Sequence, residues 1–362
     1  MLLAIGAAGD ARAALIGPQD GVSRLASTVP SNGDQNPYGV AIVPRTVGKL
    51  VAGHILVSNF NNNGLNGGKQ GTGTTIVDVA PFGSVGLFAE IHASDLHGAC
   101  SGGVGLTTAL AVLQSGWVIV GSLPTADGTS ATAQAGCLIV LNPRGRVVET
   151  LSGSSINGPW DMTALDLGFE AVLFVTNVLN GTVAQSPNVV TGGTVVRILL
   201  SSPFTDGDND GDDFAIPREL SRTVIASGFG ERTDPAALVI GPTGVGLGRD
   251  GTLYVADTLG NQIVKIANAA FVNDNAGTGV VVSAGGSLNG PLGLAIAPNG
   301  DILTTNGSDG NIVETTPGGV QVAVETIDTT GIGGGTLFGL AVVPGTGIYF
   351  VNDGNNTLDL VH

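Results

Sequence analysis

The sequence predicts an all-β fold, a six-bladed β-propeller of four-stranded antiparallel blades whose ring is closed by an N-terminal strand in the last blade. Three observations predict it. The first is a repeat: Gly-(Leu/Val)-Ala-x-x-Pro-x-Gly, a short strand-forming run, then a lone Asn or Asp, clearest at Gly244–Asp257 and Gly293–Asn306. It recurs about every 46–50 residues, and a two-strand unit cannot bury its own apolar face, so copies must stack. The second is the near absence of helical periodicity. Short runs rich in Val, Ile and Thr are broken by Gly and Pro, and the 59 glycines have no three-residue period. The third concerns closure. The last copy has room for only three strands before His362, while Gly21–Val29 has outer-strand character and no other partner. Pairing them removes an exposed sheet edge.

The inner and second strands of the six blades run Gly39–Asn59, Ala109–Ser122, Asp161–Asn177, Gly244–Asp257, Gly293–Asn306 and Gly339–Asp353. Third strands are expected at Thr74–Val79, Cys137–Leu141, Thr194–Leu199, Gln262–Ile266, Asn311–Thr315 and Thr357–Val361. Outer strands fit Gly86–His92, Arg146–Leu151, Arg222–Ser227, Val280–Ala284 and Val320–Ile327. Residues 21–362 thus form one propeller with an acidic insertion at 201–220, preceded by residues 1–20 as the remnant of a secretory signal or a disordered N-terminus.

The net charge of −16, with only 13 Lys plus Arg, argues against nucleic acid and against an anionic membrane surface. It favours cations, Ca²⁺ included. No apolar run reaches membrane-spanning length. Met1–Ala14 is apolar, ends in small residues suited to a signal cleavage site, and is interrupted by Asp10. Together with low Lys content and two cysteines, this points to an extracellular or periplasmic location.

Cys100 precedes the inner strand of blade two and Cys137 opens its third strand. First and third strands run the same way, so both residues reach one face and can bridge, which would contribute roughly 3–4 kcal/mol by loop-entropy arguments. The alternative is two buried thiols. The connections Phe60–Gly73, Leu123–Gly136 and Val178–Gly193 reach the same face and are long, whereas Asp257–Asn261 turns at once. Three long loops on one half of one face suggest a ligand-binding rim beside the channel, or mobile decoration.

The stretch from Gly241 to Ile266, with Gly244-Val-Gly-Leu-Gly-Arg-Asp-Gly-Thr-Leu-Tyr-Val-Ala-Asp257 at its centre, resembles an NHL repeat, and Gly290–Val313 is a second match. The resemblance implies a six-bladed propeller. It leaves function open, because that superfold hosts scaffolds, ligand binders, lactonases and lyases. The amidating-lyase branch implies zinc on several His; here only His92 and His97, of four His, are near the loop-rich face, so the set is incomplete. The gluconolactonase branch implies Ca²⁺ on Glu, Asn and Asp at the channel mouth. The second strands here end in Asn59, Ser122, Asn177, Asp257, Asn306 and Asp353, with no identifiable Glu. Strand-end Asx turns explain that column equally.

Asp161 occupies the inner-strand position filled by Gly39, Ala109, Gly244, Gly293 and Gly339 elsewhere, so its carboxyl should lie in or beside the channel, next to Trp160. His92 and His97 flank Asp95 and are candidate general bases or metal ligands, or ordinary surface residues. The sharpest local motif is Asp206-Gly-Asp208-Asn-Asp210-Gly-Asp212-Asp213, with the alternating aspartates of a calcium loop but no acid at its twelfth position, which is Pro217. Structural calcium is expected there. The reading is a secreted binding or scaffold module for a protein or carbohydrate, with assembly on a cell surface a further expectation. The alternative is a metal-dependent lyase or lactonase at the channel mouth.

Overall fold

Six antiparallel sheets stand around a common axis, each inner strand packed on the inner strands of both neighbouring blades. The computed structural model describes residues 13–18, 20–63, 68–153, 155–205, 215–328 and 336–362. The inner strands are Gln35–Ile42, Leu106–Val112, Pro159–Asp166, Pro242–Leu247, Pro291–Ile296 and Leu337–Val343. Blade six takes Val22–Ser27 as its outer strand against Thr357–Val361, with Val22 opposite Val361 and Ser27 opposite Thr357. Reciprocal backbone bonds between Gly21 and His362 lock this closure. The ring is closed as the sequence predicts.

The repeat's small residue has a steric cause. A Cβ at Gly293 would collide with the carbonyl oxygen of Phe338, and one at Gly244 with that of Leu292, so adjacent inner strands touch backbone to backbone. Each inner strand is bulged there, and second-strand hydroxyls stitch the blades together. Ser58 accepts from Gly39 N and donates to Thr107 O at 2.7 Å; Thr176 accepts from Asp161 N and donates to Thr243 O at 2.8 Å. Between the blades lie fully buried aliphatic layers, such as Leu56, Ile76, Val118 and Ile139. The Cys100–Cys137 bridge is formed, with Cα atoms 5.2 Å apart.

Blade three departs from the expected pattern. Its third strand runs Val190–Ser201 and its outer strand Arg218–Asp234, 17 residues in place of the short Arg222–Ser227. Gly228 and Gly230 read as strand breakers, yet the ladder carries on past them through several register shifts. Beyond Asp234 the chain reverses and pairs Leu238–Ile240 back on Arg232–Asp234. This hairpin folds over the axis. The Asp206–Asp213 motif lies outside the described residues. Among the described residues no helix is long and apolar enough to cross a membrane.

Candidate functional site

The two ends of the axial channel are different environments. Where the inner strands begin, Tyr38, Trp160 and Phe338 converge with Phe60 from a second strand. Tyr38 stacks on Phe338 at 3.8 Å and on Phe60 at 4.5 Å between ring centroids, and Trp160 lies 5.9 Å from Phe338. All four are buried. The blade-three hairpin covers them, and Trp160 Nε1 donates to Val239 O at 3.3 Å. The long loops then bind one another and the hairpin: Thr125 N to Gly71 O at 2.8 Å, Gln70 Nε2 to Pro235 O at 3.2 Å, Ser130 Oγ to Leu238 O at 2.6 Å. The long loops therefore form a lid over a sealed end. They do not form a rim beside an open mouth.

The cavity lies at the other end, where the inner strands finish. Its volume is about 360 Å³, and aliphatic side chains such as Val40, Leu110, Leu294 and Leu340 line it. Among the described residues Asp161 is the single ionisable one in its wall. Its carboxyl accepts from Met162 N at 2.7 Å and Val245 N at 3.1 Å, and no cation faces it among its bonded partners. Burial pushes its pKa up to about 8, against the two backbone N–H bonds that lower it. At neutral pH burial favours its neutral carboxylic acid, which can donate a proton into a cavity walled by aliphatic side chains and by the polar backbone of the inner strands.

This face carries more than the cavity. A neighbouring hollow of about 470 Å³ is lined by Thr163, Leu247, Arg249, Asp250, Asn268 and Phe271. Phe82, Phe169 and Phe271 are 98%, 72% and 81% exposed, and Phe204 is partly exposed. All four sit on turns between first and second or third and fourth strands, which is the face where the cavity opens. Phe169 and Phe204 meet edge to face at 5.2 Å, and the Arg45 guanidinium lies 5.4 Å over Phe204. Exposed rings beside a hollow are the usual mark of a contact surface.

The polar column does not form a converging ring. Asn59 donates to Thr28 O and Thr75 Oγ1, Ser122 to Gly103 O, and Asn177 accepts from Asn157 N. Asp257 accepts from Gly260 N and Gln262 Nε2, and Asn306 accepts from Asn289 N while donating to Ser287 O. Each group thus fastens its own blade's connections. In blade six the register corrects the expected member. Asn352, not Asp353, stands opposite Leu337 as Asn306 stands opposite Pro291. Asp353 lies one residue on, its pKa raised to about 7 by burial and by Asp328. Asn59 Oδ1 and Asn352 Oδ1 are buried without a hydrogen-bond partner among the described residues. The side chains of Ser122, Asn177, Asp257 and Asn306, however, are engaged at their own strand ends and aromatic rings fill the space between, so the column does not converge on a calcium ion. Among the described residues no group of three or more His, Cys, Asp or Glu could hold a metal.

His92 and His97 are exposed, on the connection leading into blade two, away from Asp161. Asp95 is engaged by the His92 backbone N–H at 2.8 Å, closing a one-turn 3₁₀ helix. The pair that does form is His54 Nδ1 with Asp78 at 3.0 Å, half-buried between adjacent strands of blade one. The sequence reading missed it, and it missed Arg249 and Phe271. A usable signal existed for the seal: Tyr38, Trp160 and Phe338 each immediately precede the repeat's small residue or its Asp161 replacement.

The fold is that of six-bladed propellers. The chain is similar in structure to a gluconolactonase of Xanthomonas campestris, at TM-score 0.54 and 11% identity over 95% of this chain and 89% of that one. It is similar to a virginiamycin B lyase of Staphylococcus aureus, at TM-score 0.53 and 15% identity over 95% and 99%. A calcium-binding protein of Agrobacterium tumefaciens, regucalcin, matches at TM-score 0.53 and 14% identity over 93% of each chain. No protein-family model and no curated protein matches the chain.

Proposed function

We propose that this chain is an NHL-like, extracytoplasmic binding module that takes a carbohydrate-type ligand on the face where its axial cavity opens. The observation that carries the proposal is the asymmetry of the channel: one end holds a hollow flanked by exposed phenylalanines, and the other holds a stack of rings under a lid. Phe271 offers a flat apolar platform. Arg249, Asp250 and Asn268 beside it offer directional hydrogen bonds, and Asp161 offers a neutral donor deeper in. The disulfide fits an oxidising compartment. The acidic segment Asp206–Asp213 is proposed to hold structural calcium, which metal analysis of the purified protein would detect at one ion per chain.

The test is a screen of defined oligosaccharides by calorimetry on the wild type and on Phe271→Ala and Asp161→Asn. A tenfold or greater loss of affinity in both variants, about 1.4 kcal/mol, supports the reading. A ligand whose hydrogen-exchange footprint falls on residues 123–136 overturns it.

A second reading is a lactonase or lyase, as borne by the fold's gluconolactonase and virginiamycin B lyase neighbours. Asp161 favours it, since a carboxyl kept protonated to about pH 8 can act as a general acid on a leaving-group oxygen. Activity on a lactone or cyclic depsipeptide that falls as pH passes 8, and is lost in Asp161→Asn, would establish it. Activity untouched by that substitution would remove it.

A further inference from the structure

We propose that the peptide bond between Ala14 and Leu15 is a processing site, and that the α-ammonium released at Leu15 forms a buried ion pair with Glu314. Glu314 lies on the third strand of blade five, Asn311–Thr315, and is fully buried. Leu15 N donates to its two oxygens at 2.7 and 2.9 Å, Ile16 N donates at 3.0 Å, and Asn299 Nδ2 at 3.0 Å. Every one of these donors is neutral. Among the described residues, a carboxylate held by these neutral donors lacks the countercharge that normally offsets its desolvation.

The contact with Leu15 has the geometry of an ammonium site. An amide nitrogen owns one hydrogen, yet here it faces two carboxylate oxygens at hydrogen-bond distance. An ammonium at the same place owns three, enough to serve both oxygens with one to spare, and adds the missing charge. The surroundings suit cleavage. Ala13 and Ala14 are exposed, so the bond is open to a peptidase that accepts small side chains just before the cut. Downstream, Ile16 is buried between blades five and six and Gly17 N is held by Asp20 Oδ2 at 2.8 Å. The new terminus would therefore stay seated after the cut. In the reaction the Ala14 carbon–Leu15 nitrogen bond breaks, and the oxygen of one water becomes the second oxygen of the Ala14 carboxylate. Both protons of that water end on the Leu15 nitrogen, which with its own hydrogen becomes the ammonium.

This inference does not depend on the ligand reading. Its test begins with the N-terminal residue of protein isolated from cells that naturally make it; Leu15 is expected, and Ala14 or any other first residue overturns the proposal. The second measurement compares melting of the chain beginning at a free Leu15 amine with the same chain acetylated there. The free amine should melt at least about 3 °C higher at pH 6. That gain should vanish in Glu314→Gln and fade as pH rises past the α-amino range, about 8 in an unfolded chain. Equal melting of the free and acetylated chains overturns the ion pair, and this comparison decides even where Glu314→Gln fails to fold.

Discussion

Both ends of the axial channel are made by the same six inner strands, and they differ through the side chains at one register position. Where the strands begin, that position carries Tyr38, Thr108, Trp160, Thr243, Leu292 and Phe338; three rings reach across the axis and meet Phe60. Where the strands end, Ile42, Val112, Ala164, Leu247 and Ile296 are too short to meet, and a cavity remains. A propeller thus sets which end is accessible with a few large side chains, without altering the backbone that positions them.

The largest effect should come from breaking the sealed end. Trp160→Ala removes a buried ring and its bond to Val239 O, and should cost about 3–5 kcal/mol in urea denaturation. The Cys100→Ser, Cys137→Ser pair should follow at about 3–4 kcal/mol. A loss under 1 kcal/mol for Trp160→Ala would show that the rings do not carry the seal.

At the open end the expected change depends on pH. The Asp161 carboxyl titrates near 8 in the fold, against 3.8 for an ordinary aspartate. Between those values the unfolded chain releases the proton and the folded protein retains it. Wild-type stability should therefore fall as pH rises from about 4 to about 8, by at most about 1.4 kcal/mol per unit, and level off above. Asp161→Asn lacks this loss, so its melting advantage over wild type should widen with pH through that window. A constant difference would place Asp161 in water. Smallest of all, Gln70→Ala removes bonds to Pro235 O and Ala236 O at the lid and should cost about 0.5–1 kcal/mol, with no effect on ligand binding.

The ring, its closure by Gly21–Val29 and the disulfide were legible in the sequence because each rests on local pattern: a repeat, an unpaired strand, two cysteines reaching one face. The placement of Asp161 in the channel was legible for the same reason, since the repeat exposes the exception. What the lid does was not, because Gly228 and Gly230 favour an end to the outer strand near Ser227 while tertiary packing carries it on to Asp234, where the chain reverses at Pro235. The polar column was misread by one residue in blade six, where the 13-residue spacing that joins Gly293 to Asn306 runs from Gly339 to Asn352 and Asp353 lies one residue beyond it. The open face escaped notice because its parts, Phe271, Phe169, Phe204 and Arg249, come from separate turns with no shared motif.

The central claim is that the channel is accessible from one end only. The described protein has no free cysteine, so a single introduced thiol can report on access. Thr163→Cys places one in the cavity wall, and Thr107→Cys places one in the small void beneath the aromatic stack. Alkylation by iodoacetamide under native conditions should be at least about 100-fold faster at position 163, as expected where the protected site needs an opening costing about 2.7 kcal/mol or more. Equal rates at the two positions would contradict the account.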